Sequence, residues 1–287
     1  EKSERALKLT ATCLKFNPAN YTVWNYRRQC LQFLGLTSVK AAVQKDLDLA
    51  AALGGSNPKN YQIWYHRRAL LEAHGASAFL REELEYISNV LDEDSKNYHA
   101  WSYRQWILMT VDDEAAWAEE LEFASTLIRQ DIRNNSAWNQ RWFVSHRAKA
   151  QLLTLEAARG EADFALGEDG AKQDPYNESP WRYLIGIMKE QQRANTNDAF
   201  HDLVVEYEAK AKALESKLAN ANRDPDTCVD MTSARVDLLE MIGTKDSLNT
   251  AITLAEGLAN DHDTVRTKYW SLVLDRLRNK EKLLTDT

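Results

Sequence analysis

The chain has 287 residues, 44% of them hydrophobic, and a formal net charge of −7, so it has ample material for a core and no general electrostatic footprint for nucleic acid or an anionic membrane surface. No apolar run approaches the roughly 18 residues that span a bilayer, and nothing resembles a signal peptide. Cys13, Cys30 and Cys228 form no CxxC pair, so free thiols in a reducing cytoplasm are expected. Residues 3 to 16, apolar at Ala6, Leu7, Leu9, Cys13, Leu14 and Phe16, predict the second helix of a truncated first repeat, and with Glu1 falling inside a helix an N-terminal part is expected to be missing. Asn20 stands where an N-cap belongs, ahead of a helix from Tyr21 to about Leu34 that Gly35 closes. Residues 38 to 53 form its partner, stopped by Gly54 and Gly55.

The stretch from Asn57 to Arg68 restates that pattern and opens a second unit, with helices from Asn57 to about Ala73 and from about Phe79 to Leu91. A third begins at Asn97 and pairs with a helix from about Glu114 to Ile128. A fourth begins at Asn134 and continues through a helix over 149 to 170, with a loop at Gly167 to Gly170. The fifth, after Asp174-Pro175-Tyr176-Asn177, keeps Trp181 and Tyr183 but has Leu184 in place of an arginine. A copy without tryptophan is expected near Asp224-Pro225 to Gly243, and a closing helix after Asp263, at Trp270. Degenerate end copies suit the capping of an open stack.

The copies align on Trp24, Trp64, Trp101, Trp138 and Trp181, at intervals of 40, 37, 37 and 43 residues. That period, with few glycines and prolines, means an all-α solenoid of stacked helical hairpins, read as one repeat domain over 1–287. Four residues before each Trp stands Asn20, Asn60, Asn97, Asn134 or Asn177; three after it stand Arg27, Arg67, Arg104 and Arg141 in the first four copies. Both recurring types read as scaffold. The rings wedge between helices, and the arginines tie helices to carboxylates or carbonyls, for example near Asp92, Glu93 and Asp94.

The positions that vary carry the functional signal. Before each cap the series runs Ala19, Lys59, Lys96, Arg133, Tyr176, a cationic row at helix N-termini whose free amides already favour anions. Inside the caps come Tyr21, Tyr61 and Tyr98, then Thr22, Gln62 and His99. Two readings stand on periodicity alone: a phosphate site, or a solvated lysine fringe over ordinary caps. His66, His74, His146, His201 and His262 show no metal-ligand spacing, and no nucleophile elbow, glycine-rich phosphate loop or paired catalytic carboxylate stands out.

The strings Asn20 to Arg28, Asn57 to Arg68, Lys96 to Trp106 and Asn134 to Arg141 resemble the repeats of protein prenyltransferase alpha subunits, and most of all the subunit shared by protein farnesyltransferase and geranylgeranyltransferase type I. The resemblance implies a right-handed superhelical crescent of hairpins wrapping a beta subunit that holds a catalytic zinc and the isoprenoid pocket. It implies half of an enzyme that moves a farnesyl or geranylgeranyl group from its diphosphate to the cysteine of a C-terminal CaaX sequence on proteins such as small GTPases, with magnesium expected for the farnesyl reaction. By the same resemblance Lys59 contacts the diphosphate, Tyr61, Tyr98 and His99 neighbour it as catalytic contributors, Gln62 binds the peptide's terminal carboxylate, and Tyr21 lines the peptide side. Departures fall at Gly75-Ala76-Ser77, at Gly160 to Lys172 and between Asn195 and Gly243. Two alternatives are a Rab geranylgeranyltransferase alpha subunit, which normally carries further domains, and a non-catalytic peptide-binding repeat scaffold, which explains the tryptophans and arginines but not the cationic row.

Overall fold

Each tryptophan helix starts on an asparagine, and the reason is local. Asn20, Asn60, Asn97, Asn134 and Asn177 each turn a side-chain oxygen onto the free amide two residues on, at 3.0 to 3.1 Å, the N-cap bond that satisfies an orphan donor of the first turn. The structure, a computed structural model, describes residues 1–55, 57–146, 152–194, 198–221 and 228–285. Among these it is all-α, with fourteen α-helices and no strand.

The helices fall into two compact units, Glu1–Glu120 and Leu121–Thr287. The first contains α1 (Glu4–Phe16), α2 (Tyr21–Phe33), α3 (Lys40–Gly54), α4 (Tyr61–His74), α5 (Leu80–Glu93) and α6 (Tyr98–Val111), and ends within α7 (Glu114–Gln130). Its hairpins are α1/α2, α3/α4 and α5/α6, and α2, α4 and α6 pack side by side. Each tryptophan helix therefore pairs chiefly with the helix before it, a different phase from the hairpins expected from the sequence, though the helix positions agree. Glu1 lies outside any helix: α1 begins after Ser3, whose hydroxyl caps the Ala6 amide.

The second unit contains α8 (Asn135–Ser145), α9 (Leu155–Leu166), α10 (Glu178–Ala194), α11 (Asp198–Asn220), α12 (Val229–Ile242), α13 (Lys245–Gly257) and α14 (Thr267–Thr285). There α9 pairs with α10 and α11 with α12, while α13 packs on both α12 and α14. Trp270 is buried in a cluster with Leu248, Leu258, Val273 and Leu277. Asp224 and Pro225, expected to open the copy without tryptophan, lie outside the described residues, as do Asn195 and residues 149 to 151.

The tryptophans and arginines hold the stack. Trp24, Trp64, Trp101, Trp138 and Trp181 are all buried, and every indole Nε1 donates to the carbonyl six residues back, at 2.7 to 2.9 Å. Arg27 donates to Asp46 at 2.8 and 2.6 Å and to the Leu7 carbonyl at 2.8 Å. Arg67 repeats this with Glu83 and the Leu47 carbonyl, Arg104 with Glu120 and the Leu84 carbonyl, and Arg141 with Glu161 and the Ser125 hydroxyl. The acceptors are thus not Asp92, Glu93 or Asp94. An arginine two turns along its helix lies about 10 Å from the cap, level with the body of the neighbouring helix rather than with the loop those three residues occupy. Removing one partner from such a buried pair costs roughly 3–5 kcal/mol.

Candidate functional site

The loop before each cap is fixed by a second use of an Asn or Asp side chain. Backbone amides of Ala19, Lys59, Lys96, Arg133 and Tyr176 donate to Oδ1 of Asn17, Asn57, Asp94, Asp131 and Asp174, at 3.0 to 3.2 Å, each bond closing an Asx turn. The capping asparagines then reach across repeats. Asn60 Nδ2 donates to the Pro18 carbonyl at 2.8 Å and Asn97 Nδ2 to the Pro58 carbonyl at 3.3 Å, the carbonyls already used by Trp24 and Trp64. The start of α4 is thereby joined to the loop before α2, and the start of α6 to the loop that carries Lys59.

That joint brings four of the expected residues together. Tyr61 on α4 and His99 on α6 have ring centroids 6.0 Å apart, and Tyr98 and His99 are 3.9 Å apart. Tyr61 and Tyr98 are 58% and 65% exposed, so much of each side chain stands open to solvent. His99 is half-buried; burial draws its pKa below the ordinary 6.5, against a hydrogen bond involving the Lys59 backbone, so near neutral pH the ring is uncharged. Its amide is committed to the Asn97 cap at 3.0 Å.

Lys59 is not the free cation of a row. Its Nζ lies 3.1 Å from Asp94 Oδ2, with the lysine side chain 61% exposed, and this bond holds the Asp94 carboxyl below the usual carboxylate range. Arg133 is paired in the same way with Asp174, at 2.7 Å. In both cases the carboxylate belongs to the Asx turn of the following copy, a long-range partner that residue spacing does not announce. A pair this exposed contributes only about 0.2–1 kcal/mol, so an ammonium with three donors can exchange or share its acceptor readily. Gln62 is half-buried in the first turn of α4, its amide bonded to Asn60 Oδ1 at 3.1 Å. Tyr21, 70% exposed at the start of α2, has no ring or hydrogen-bond contact with the others among the described residues.

Beside the cluster opens a cavity of about 310 Å³, lined by Tyr61, Tyr65, Arg68, His99, Ser102 and Trp106 among others. Tyr65, Arg68, Ser102 and Trp106 are additions to the expected site. Tyr65 stacks on Tyr61 at 6.1 Å, and Arg68 lies 4.9 Å over Trp106 while donating to Glu72 at 2.7 Å. The signal was present as helical spacing, since Tyr65 is four residues after Tyr61 and shares its face. Among the described residues no group of three or more His, Cys, Asp or Glu could hold a metal ion, and no helix is long and apolar enough to cross a membrane.

Comparison with known proteins gives this arrangement its context. The protein prenyltransferase alpha subunit repeat family matches residues 3–34, 43–74, 80–111 and 117–148, which are α1/α2, α3/α4, α5/α6 and α7/α8, the phase in which each tryptophan helix closes its hairpin. The protein farnesyltransferase/geranylgeranyltransferase type-1 subunit alpha of Dictyostelium discoideum is 34% identical over 285 residues, 99% of this chain and 82% of that protein. The subunit of the same name from Solanum lycopersicum is 37% identical over 279 residues, 94% of this chain and 76% of that protein. Among solved structures, Candida albicans protein geranylgeranyltransferase-I complexed with GGPP superimposes with a TM-score of 0.73 and 25% identity, covering 96% of this chain and 85% of that one. On hairpin phase, recurring caps and identity over nearly its whole length, the chain belongs to the family of protein farnesyltransferase/geranylgeranyltransferase type-1 alpha subunits.

Proposed function

We propose that this chain works only with a beta subunit, as half of a CaaX protein prenyltransferase that moves a farnesyl or geranylgeranyl group from its diphosphate to the cysteine of a C-terminal CaaX sequence. The observation that carries the reading is the convergence of Lys59, Tyr61, Tyr98 and His99 where the N-termini of α4 and α6 meet. Breaking the carbon–oxygen bond adds negative charge to the leaving diphosphate. An ammonium placed there stabilises that charge more in the transition state than in the ground state. Lys59 supplies the charge, tethered near Asp94 with most of its surface open. The Tyr61 and Tyr98 hydroxyls donate to diphosphate oxygens, and the uncharged His99 ring orders that wall. Gln62 and Tyr21 serve the peptide, Gln62 at its terminal carboxylate. The substrate cysteine would be held as thiolate by a zinc ion whose ligands lie in the partner, and magnesium is expected to assist the farnesyl reaction.

The test is single-turnover prenylation of a CaaX peptide by the chain co-expressed with a farnesyltransferase beta subunit, comparing Lys59→Ala with the parent. The expected fall in the chemical rate is about ten- to a thousandfold, roughly 1.4–4 kcal/mol, with peptide affinity near normal. An unchanged rate in an active dimer removes Lys59 from the diphosphate and leaves it as a solvated partner of Asp94.

A further inference from the structure

Among the described residues of the first unit, Arg28 is a half-buried cation with a closed-off nitrogen and no hydrogen-bond acceptor. Arg28 on α2 lies with its guanidinium 4.7 Å over the Tyr65 ring, and its Nη1 is closed off from solvent without a hydrogen-bond partner. Its neighbours in pattern are all satisfied: Arg27 by Asp46, Arg67 by Glu83, Arg104 by Glu120. The closest comparison is Arg68, which occupies the same place relative to its tryptophan and also lies over a ring, but has Glu72 one turn on. One turn beyond Arg28 stands the neutral Gln32. Closing off one guanidinium nitrogen without an acceptor is costly, and partial burial holds this side chain, half-buried as a whole, below its usual basicity.

The residue lines a cavity of about 510 Å³ whose wall includes Asn25, Gln29, Gln32, Thr37 and Leu70. It presents one fixed positive charge, neutral amides able to donate hydrogen bonds, and an apolar back. That composition fits a singly charged carboxylate; a phosphate dianion calls for more cations than this wall offers. Arg28 lies over Tyr65, 45% exposed, which in turn stacks on Tyr61, 58% exposed, so the cation of this cavity also touches an exposed aromatic patch. Tyrosine and arginine together at such a patch are the composition of a protein-contact hot spot. We propose that this cavity is a carboxylate-binding site, filled by an acidic side chain of the partner polypeptide that packs across α2 and α4. It rests on the reading above that the chain works with a second subunit, and it adds an anchoring pair which that reading does not contain.

The experiment measures the dissociation constant of the heterodimer at low and moderate salt for the parent, Arg28→Gln and Arg28→Lys, alongside the thermal midpoint of each full chain. Loss of the guanidinium is expected to raise the dissociation constant about ten- to a hundredfold. Arg28→Lys should lie between, and the salt dependence should flatten in Arg28→Gln. The midpoint of the chain alone should not fall, since relief of the closed-off, unpaired Nη1 opposes loss of the contact with the Tyr65 ring. An unchanged dissociation constant and salt slope in Arg28→Gln overturns the site, and so does a fall in the chain's own midpoint, which would make Arg28 a structural residue. Acetate titrated onto the full chain, followed at the Arg28 Nε–H resonance, is a further arm: binding there with an unaltered heterodimer overturns the polypeptide occupant. A parent chain that pairs with no beta subunit refutes the functional reading itself, and the site with it, before any substitution is made.

Discussion

Replacing Asn60 by alanine removes two bonds at once, and the structure allows them to be separated. Asn60 is 8% exposed; its oxygen caps the Gln62 amide at 3.1 Å and its nitrogen bonds the Pro18 carbonyl at 2.8 Å. Loss of an asparagine cap costs about 1 kcal/mol, and loss of a neutral hydrogen bond about 1 more. The Pro18 carbonyl keeps the Trp24 indole at 2.7 Å, so no orphaned acceptor adds to the total, and Asn60→Ala should cost about 2 kcal/mol. Two controls divide the sum. Asn60→Ser keeps the cap and loses the bridge, at about 1 kcal/mol. Asn20→Ala loses a cap bonded to Thr22 and Val23, at 3.1 and 3.2 Å, from an asparagine that makes no bridge, also at about 1 kcal/mol. The assay is urea unfolding followed by tryptophan fluorescence, read as a shift in midpoint at constant slope. If Asn60→Ala costs no more than Asn20→Ala, the bridge between repeats contributes nothing and the account of how α4 is joined to the loop before α2 is wrong.

Two further outcomes follow from buried groups. His66 is wholly buried, its Nε2 2.8 Å from Asp46, and burial of the ring, against that bond, draws its pKa below the usual 6.5. The unfolded chain therefore takes up a proton as pH falls below about 6.5 while the folded chain resists it, so stability present above that pH is lost on acidification. Urea midpoints measured from pH 8 to 5 should decline, and His66→Gln should flatten the decline; an equal slope in the variant would place the titration elsewhere. Cys228 is buried, its Sγ donating to the Pro175 carbonyl at 2.8 Å, with burial pushing the thiol up to about 12, and Cys30 is buried as well. An aromatic disulfide reagent should thus titrate one thiol rapidly in the native chain, the exposed Cys13, and three in denaturant; rapid reaction of two or more in the native chain would contradict the packing.

What could be read in the sequence was whatever is decided within about one helical turn. Asn20, Asn60 and Asn97 were legible as caps because a cap needs only the amides two or three residues on. Gly35 was legible as a stop because its φ of +69° is a conformation that favours glycine. The partners of Arg67 and Lys59 were not legible. Glu83 and Asp94 are ordinary surface-type residues in the sequence, and only stacking decides which carboxylate faces which cation. The capping asparagine's second bond was hidden for the same reason, as its acceptor is a backbone carbonyl some forty residues earlier. At the site, the aromatic and imidazole neighbours of Lys59 were visible as a repeating register. Tyr65 and Trp106 entered only through the cavity they enclose with Arg68, although Tyr65 stood within helical reach of Tyr61.

The joints between copies close on main-chain oxygen, and that has a consequence for how such a chain can change over time. The carbonyls of Pro18, Pro58 and Ile132 each take an indole N–H from their own copy and an amide N–H from a later one. An oxygen of this kind is offered equally by proline and by isoleucine. The neighbouring cap-preceding position is free in the same sense, and here it carries alanine, lysine, lysine, arginine and tyrosine in turn. The stack is keyed by Trp and Asn and is indifferent to the letters between them, so mutation can rewrite this edge one copy at a time while the spacing between copies stays fixed.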